Sequence, residues 1–223
     1  MVKDSRMKPD KNKKFVLAKK VAHKISFVGN LDEWSRAERI TFDDGGVPPH
    51  GRRATVYTLW DEEYLYIAFD VERRNPKARI LEHDGEGLWL DDGVEFLIDP
   101  LNDGGEFSMT DDVAYHINIL NAVYDERGSG TRRPDASWTG AAIHEVRMKA
   151  AQGEDATGYI CEIGVPWMEL GISPTEDHTV IGIDFCVNGT EDETGNYHHF
   201  DWAGLRLFHH PDGFGKLKLV GSA

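Results

Sequence analysis

Cysteine is scarce in this sequence, and long hydrophobic runs are absent. The two cysteines, Cys161 and Cys186, are too few for a disulfide framework. Their surroundings alternate as strands do; Cys161 shares the apolar face of its strand with Ile163, whereas Cys186 does not share the apolar face of its own. We therefore predict two free thiols. No stretch reaches the roughly 18 apolar residues of a membrane helix, so membrane insertion is not expected.

Basic residues are in the minority, with 25 Lys and Arg against 39 Asp and Glu and a formal charge of −14. Such a charge repels phosphate backbones and anionic surfaces, so nucleic acid is not expected as a partner. The first 24 positions run against this trend and carry Lys3, Arg6, Lys8, Lys11, Lys13, Lys14, Lys19, Lys20 and Lys24. Because like-charge runs are usually solvated, we predict a mobile basic N-terminal arm over 1–23 and one domain over 24–223.

The basic N-terminus lacks the apolar run that follows it in a secretory signal. The sequence leaves the compartment open: secreted or periplasmic if a signal peptide was removed, and cytoplasmic otherwise. The oligomeric state also stays open.

Alternation with a period of two residues dominates the chain, and no long segment keeps helical spacing. Strands are predicted at 54–60, 64–71, 94–99, 114–120, 141–149, 159–165, 180–188 and 216–220. Short helical turns are expected only at 31–34 and 166–170. Eight strands predict an all-β fold, a β-sandwich of immunoglobulin-like or jelly-roll-like type made of two antiparallel sheets.

The segment 88–99 carries the first candidate site. Its alternation places Glu95 in the middle of a strand, facing away from the core. The neighbouring strand offers His116 and Asn118 on the same face, and Trp89 supplies a flat apolar ring just before the strand. A carboxylate beside an aromatic ring suits a sugar, whose hydroxyls donate hydrogen bonds and whose C–H groups stack. The alternative is structural: Trp89 caps the core and Glu95 pairs with an arginine.

Five motifs in order resemble carbohydrate-binding module family 9, from about residue 25 to 219. They are Leu-Asp-Glu-Trp at 31–34, the hairpin at 59–68, a Trp-x-x-Asp-x-Val-Glu pattern at 89–95, the Gly-Tyr strand leading to Val-Pro-Trp at 158–167, and Phe-Gly-Lys-Leu at 214–217. The resemblance implies a β-sandwich that holds the end of a glycan between two aromatic side chains. Trp89 matches one of these walls and Glu95 matches the carboxylate that receives sugar hydroxyls; the second wall falls on Phe208.

These assignments predict non-catalytic binding of a mono- or oligosaccharide end, in a glycan-degrading system, with Trp89, Phe208, Glu95, His116 and Asn118 as the binding residues. Two positions depart from the family pattern. His116 stands where an arginine is expected, and Leu205 stands near an expected asparagine. The alternative is therefore a decayed sugar site that serves as a protein-interaction or structural module. Which sugar is bound stays open.

Calcium is associated with the resembling family, and it needs several converging oxygen ligands. The acidic positions that the resemblance implies are Arg73 and Gly189 here, and Asp99, Asn102 and Asp103 lack the spacing of an EF-hand loop. Calcium is left open, and no cofactor is assigned.

Two histidine pairs, at 198–199 and 209–210, are dense enough to raise zinc as a ligand. Neighbouring residues on a strand face opposite ways, so at most one histidine of each pair joins a shared site, and no metal ligand is assigned. A haem site would need one of Met109, Met148 and Met168 with His116 or His144. No catalytic motif is present, so no enzyme activity is predicted.

Overall fold

The computed structural model describes residues 14–45, 52–106, 108–150, 156–190, 197–204 and 209–222. In these ranges the chain forms twelve strands, β1 Phe15–Lys20, β2 Glu38–Asp43, β3 Arg53–Trp60, β4 Tyr64–Glu72, β5 Gly93–Asp99, β6 Val113–Asn118, β7 Val123–Arg127, β8 Ile143–Ala150, β9 Ala156–Pro166, β10 Val180–Thr190, β11 Tyr197–Asp201 and β12 Gly215–Val220. Three 3-10 helices complete it, at Asp32–Trp34, Leu88–Leu90 and Pro211–Gly213. None of the helices in these ranges is long and apolar enough to cross a membrane.

The strands follow one hydrogen-bonded path in the order β7-β6-β5-β10-β12-β1-β3-β4-β9-β8, with β11 on β10 and β2 on β3. β1 joins two antiparallel halves, because it runs parallel to both β12 and β3. Its pairing with β3 is only two residue pairs long, Lys19 with Leu59 and Lys20 with Trp60. The predicted all-β sandwich is confirmed, with β1 as a link that turns its two sheets into one curled sheet.

The core lies between the two halves. Phe69 of β4 packs edge-on against Phe185 of β10, with ring centroids 5.9 Å apart. The hydroxyl of Tyr159 on β9 donates a hydrogen bond of 2.9 Å to the carbonyl of Gly93 on β5. Removal of these apolar faces from water drives the halves together. One face of each strand packs into the core. The opposite face of β7, β6, β5, β10 and β11 is the outer face of this half.

The predicted strands are confirmed to within a few residues, but β1, β2, β7 and β11 were not predicted. Part of the mobile arm predicted over 1–23 is ordered, because Phe15–Lys20 forms β1. Val16 and Ala18 are fully buried in the core, and this burial holds the strand in place despite its lysines. The sheet therefore begins well before residue 24, and residues 1–13 of the predicted arm lie outside the described residues.

The predicted turn at 31–34 is confirmed as the 3-10 helix Asp32–Trp34. The region 166–170 forms hydrogen-bonded turns instead, with the N–H of Glu169 donating to the carbonyl of Pro166 over 3.0 Å. The prediction of free thiols is confirmed. Cys161 lies in the main core, whereas Cys186 lies on the other face with Leu97, Ala114 and Phe214.

Candidate functional site

The candidate site lies on the outer face of the β7-β6-β5-β10-β11 half. Strand register places one row of side chains across this face. Tyr124 is opposite His116, His116 is opposite Glu95, Glu95 is opposite Cys186, and Cys186 is opposite Asp201. Cross-strand partners lie about 5 Å apart, so this row brings together residues far apart in the sequence.

Glu95 is the centre of the row. Its Oε2 atom lies 3.3 Å from Nδ1 of His116 and accepts a 3.0 Å hydrogen bond from Nδ2 of Asn188. Its Oε1 atom is buried and has no hydrogen-bond partner among the described residues. Burial raises the pKa of Glu95, but the charge and hydrogen bond of His116 and the hydrogen bond of Asn188 outweigh it and lower that pKa to about 2. Glu95 is therefore an ionised acceptor with one unused oxygen.

His116 responds to the same contact in the opposite direction. Burial lowers its pKa, and the charge and hydrogen bond of Glu95 outweigh that and raise it. Glu95 pairs with this histidine, so the structural alternative of an arginine partner is not what the geometry shows.

An aromatic pair borders the row. Trp89 sits in the 3-10 helix Leu88–Leu90, which Leu88 anchors by burial and which Gly87 opens with a φ of 84° that glycine adopts without strain. The half-exposed Trp89 ring lies 5.2 Å from the ring of Tyr124 at 69° and 6.4 Å from the ring of His116. Trp89 therefore borders the polar row and does not cap the core.

Tyr124 is a member of the site that the sequence analysis missed, because β7 is only five residues long and its alternation gave too weak a signal. Burial together with the charge and hydrogen bond of Glu126 raises the pKa of Tyr124 to about 12. Glu126 in turn lies 3.0 Å from Nε2 of His209. A second polar group thus lies beside the aromatic pair.

Asn118 does not present its amide to this face. Its Nδ2 atom donates to the carbonyl of Ile80 and to Oδ2 of Asp91 at 2.7 and 3.0 Å. Its Oδ1 atom accepts the N–H groups of Leu120 and Ala122, each at 3.0 Å. These four bonds fill its capacity, so Asn118 ties loops together, and Asn188 supplies the amide beside Glu95. Phe208 and Leu205 lie outside the described residues.

The positions at which the resemblance implies calcium ligands do not fit that ion. Nε of Arg73 lies 3.1 Å from Oδ1 of Asp92, and both side chains are buried. A Cβ at Gly189 would lie 2.1 Å from Oδ1 of Asp92, which leaves no room for an acidic side chain there. A buried guanidinium balances the charge of Asp92.

Three carboxylates at the other end of β5, those of Asp99, Asp103 and Asp111, lie within 4.8 Å of one another. Asp99 is fully buried, unlike a residue of a solvated turn, and accepts the backbone N–H groups of Asp103 and Gly104. The candidate haem ligands Met109, Met148 and Met168 are exposed side chains.

Known proteins that resemble this chain in sequence or in fold match it over most of its length. The profile of the family described as carbohydrate family 9 binding domain-like matches residues 29–222. An exoglucanase, XynX, from Acetivibrio thermocellus is 28% identical over 197 residues, and endo-1,4-beta-xylanase A from Thermoanaerobacterium saccharolyticum is 29% identical over 197 residues. Each alignment covers 86% of this chain, which spans only 16% and 15% of those relatives.

Solved structures agree on the fold. A carbohydrate binding module of family 9 from Caldicellulosiruptor kristjanssonii, solved with cellotriose and with glucose, superposes with a TM-score of 0.69 at 20% identity. In the cellotriose complex the match covers 94% of this chain and 95% of that one. A protein from Bacteroides uniformis described as a putative carbohydrate-binding protein has a TM-score of 0.68 at 17% identity and covers 93% and 99%. With a profile match over residues 29–222 and a fold to go with it, this chain belongs to the carbohydrate family 9 binding domain-like family, a family of carbohydrate-binding modules.

Proposed function

We propose that this domain binds the end of a mono- or oligosaccharide on the face formed by Trp89, Tyr124, His116, Glu95 and Asn188, without catalysis. The observation that carries the proposal is Oε1 of Glu95, a buried carboxylate oxygen with no partner in the described part of the chain. A buried acceptor left unmatched is unfavourable by about 1 to 3 kcal/mol or more. A sugar hydroxyl would supply the missing donor.

The aromatic pair suits the rest of a pyranose. One face of the half-exposed Trp89 ring can receive the C–H groups of the sugar, while Tyr124 meets that ring edge-on and forms a side wall. His116 and Asn188, both held by Oε2 of Glu95, are polar neighbours of the same carboxylate. We expect affinity in the micromolar to millimolar range, because one or two stacked rings and a few wet hydrogen bonds give roughly 4 to 8 kcal/mol.

We propose the absence of catalysis because Glu95 is ionised. A glycosidase needs one carboxyl group that is protonated as a general acid and a second that acts as base or nucleophile. Glu95 has a pKa of about 2 and is held by His116 and Asn188, so it cannot deliver a proton. The relatives of this chain include a xylanase and an exoglucanase, of which the matching region is a small part. This supports a role as a binding module in a glycan-degrading system.

A decayed sugar site that serves as a protein-interaction or structural module is the second candidate. The observation in its favour is that neighbouring side chains cover the polar centre of the face: only 1% of Glu95 and 7% of His116 is exposed. A sugar must displace part of this cover to reach Oε1.

Calorimetric titration with glucose, xylose, cellotriose and xylo-oligosaccharides tests the first candidate. We expect a saturable heat with at least one of them, and a loss of roughly tenfold or more with Trp89→Ala or Glu95→Gln. Trp138→Ala is the matched control, because Trp138 is half-buried against Arg127 and Tyr115 and is not part of the row. Incubation of the protein with the oligosaccharides that bind should release no shorter sugars.

Absence of binding at millimolar concentrations of every sugar, in a wild-type protein shown to be folded, would contradict the proposal and favour the interaction module. Equal loss with Trp138→Ala would also contradict it, since general destabilisation would then explain the effect.

A further inference from the structure

Three potential metal ligands meet at the centre of the outer face. Glu95, Cys186 and His199 each offer one ligand atom, and these atoms lie within 4.8 Å of one another. Cys186 is directly opposite Glu95 in the β5–β10 register. His199 is opposite Asn188 in the β10–β11 register, next to the Glu95–Cys186 pair. Three hydrogen-bonded strands therefore hold the ligand atoms in place.

The chemical types of these ligands identify the class of ion. A thiolate sulfur, an imidazole nitrogen and a carboxylate oxygen are the ligand set of Zn²⁺, which takes three such ligands and leaves a fourth position for water or another ligand in open sites. Calcium takes six to eight oxygen ligands, which this group cannot offer. The group therefore suits a borderline-soft divalent ion.

The Oε1 atom of Glu95 is available to coordinate a metal ion. Oε2 is engaged by His116 and Asn188, whereas Oε1 has no hydrogen-bond partner within the described ranges. These contacts fix the orientation of the carboxylate and leave one oxygen available, as outer-shell hydrogen bonds do in metal sites. The histidine pair at 198–199 fits as well, since strand alternation turns only His199 toward Glu95.

We propose that Glu95, Cys186 and His199 form a site for Zn²⁺ on the outer face of the sheet, with a fourth position left for water or another ligand. On binding, the Sγ–H bond of Cys186 breaks, its proton passes to the buffer, and the thiolate coordinates the ion. The site goes beyond glycan binding, with which it shares Glu95 alone. Cys186 has no part in the proposed glycan contacts, and Trp89 has none in the metal site.

Titration of the reduced, untagged protein with Co²⁺ alone tests this, because a cobalt–thiolate bond produces a charge-transfer band in the near ultraviolet. We expect the band to saturate at one equivalent and to disappear when Zn²⁺ is added. Cys186→Ala should abolish it, and Cys161→Ala is the matched control, because that thiol is equally buried but faces the main core. Glu95→Gln and His199→Ala should weaken Co²⁺ binding by roughly tenfold or more.

Absence of the band at millimolar Co²⁺ in the folded wild type, or its persistence in Cys186→Ala, would overturn the proposal. Circular dichroism spectra confirm that each variant folds; if Cys186→Ala does not, Cys186→Ser serves in its place. Trp89→Ala should lose glycan binding and keep the band, while Cys186→Ala should lose the band and keep glycan binding. The two proposals can therefore fail independently.

Discussion

Glu95 and His116 form an ion pair on the outer face of the sheet, with Oε2 and Nδ1 3.3 Å apart and both side chains buried. Each group shifts the pKa of the other toward its charged form. Removing one member of a buried pair leaves an uncompensated charge, which destabilises proteins by about 3 to 5 kcal/mol. The pair is thus the structural support of the candidate site.

We predict that His116→Ala lowers the free energy of unfolding by about 3 to 5 kcal/mol, measured by urea denaturation. The exposed His23→Ala is the control and should change stability little. The double variant Glu95→Gln with His116→Ala should lose less than the sum of the two single variants, because the buried charge is gone. Strict additivity would contradict the direct pairing.

Asn118 should matter for stability and not for sugar affinity. Asn118→Ala leaves two backbone N–H groups and one carbonyl without their side-chain partner and removes one of the donors to the buried Asp91, so we expect a loss of about 3 kcal/mol in unfolding free energy. Asn118→Asp keeps the acceptor for Leu120 and Ala122 but sets a second carboxylate against Asp91, so it should be at least as destabilising at neutral pH. Calorimetry on the folded variant should give an unchanged glycan affinity; a selective loss of affinity would assign Asn118 to the site.

Tyr124 should contribute to glycan affinity through its ring. Tyr124→Ala removes the aromatic edge that meets Trp89, and we expect a roughly 3- to 10-fold weaker Kd, corresponding to about 0.5 to 1.5 kcal/mol. Tyr124→Phe keeps the ring and should weaken binding less. The comparison is Tyr64→Ala, a half-buried ring on β4 in the other half of the sheet, which should leave the Kd unchanged. Equal effects of the Ala and Phe variants would assign the contribution to the hydroxyl instead.

Asp112 should make stability depend on pH. Burial, followed by the charges of Asp99, Asp111 and Asp103, raises the pKa of Asp112 to about 7, although the N–H of Met109 opposes this. The unfolded value is about 3.9. The protonated form is therefore favoured in the folded state, and its contribution is fully present below about pH 4 and is lost as the pH rises through about 7.

Between pH 4 and pH 8, wild-type stability should therefore fall relative to Asp112→Asn by an amount on the order of 2 kcal/mol. Urea denaturation in buffers with a chelator measures the difference. The exposed Asp177→Asn serves as the control and should parallel the wild type. Parallel pH profiles of the wild type and Asp112→Asn would show that folding does not raise the pKa of Asp112.

Local patterns predicted much of this fold. Alternation in 64–71 and 94–99 identified β4 and β5 and placed Glu95 on the face opposite Phe96, because successive side chains of a strand point to opposite sides. Two short strands were not predicted, because β1 continues a basic run and β7 has only five residues. Both form because neighbouring strands supply the hydrogen bonds and the core supplies the burial, which no local pattern reveals.

The candidate site was only partly predictable for the same reason. Trp89, Glu95 and His116 are found together as predicted, although their role in glycan binding remains a prediction. Asn118, chosen for its place on the same face as His116, turned out to be saturated by loop contacts.

Residue order in this chain was sufficient to establish the all-β class and the face that each strand residue takes, since both follow from a two-residue repeat. Strand order was decided by packing of the two apolar faces over long sequence separations. That packing placed β10 beside β5 and β11 beside β10, and thereby brought Asn188, Cys186 and His199 around Glu95. Neighbours across a sheet are a property of the tertiary structure, because hydrogen bonds between strands do not depend on how far apart the strands lie in the sequence.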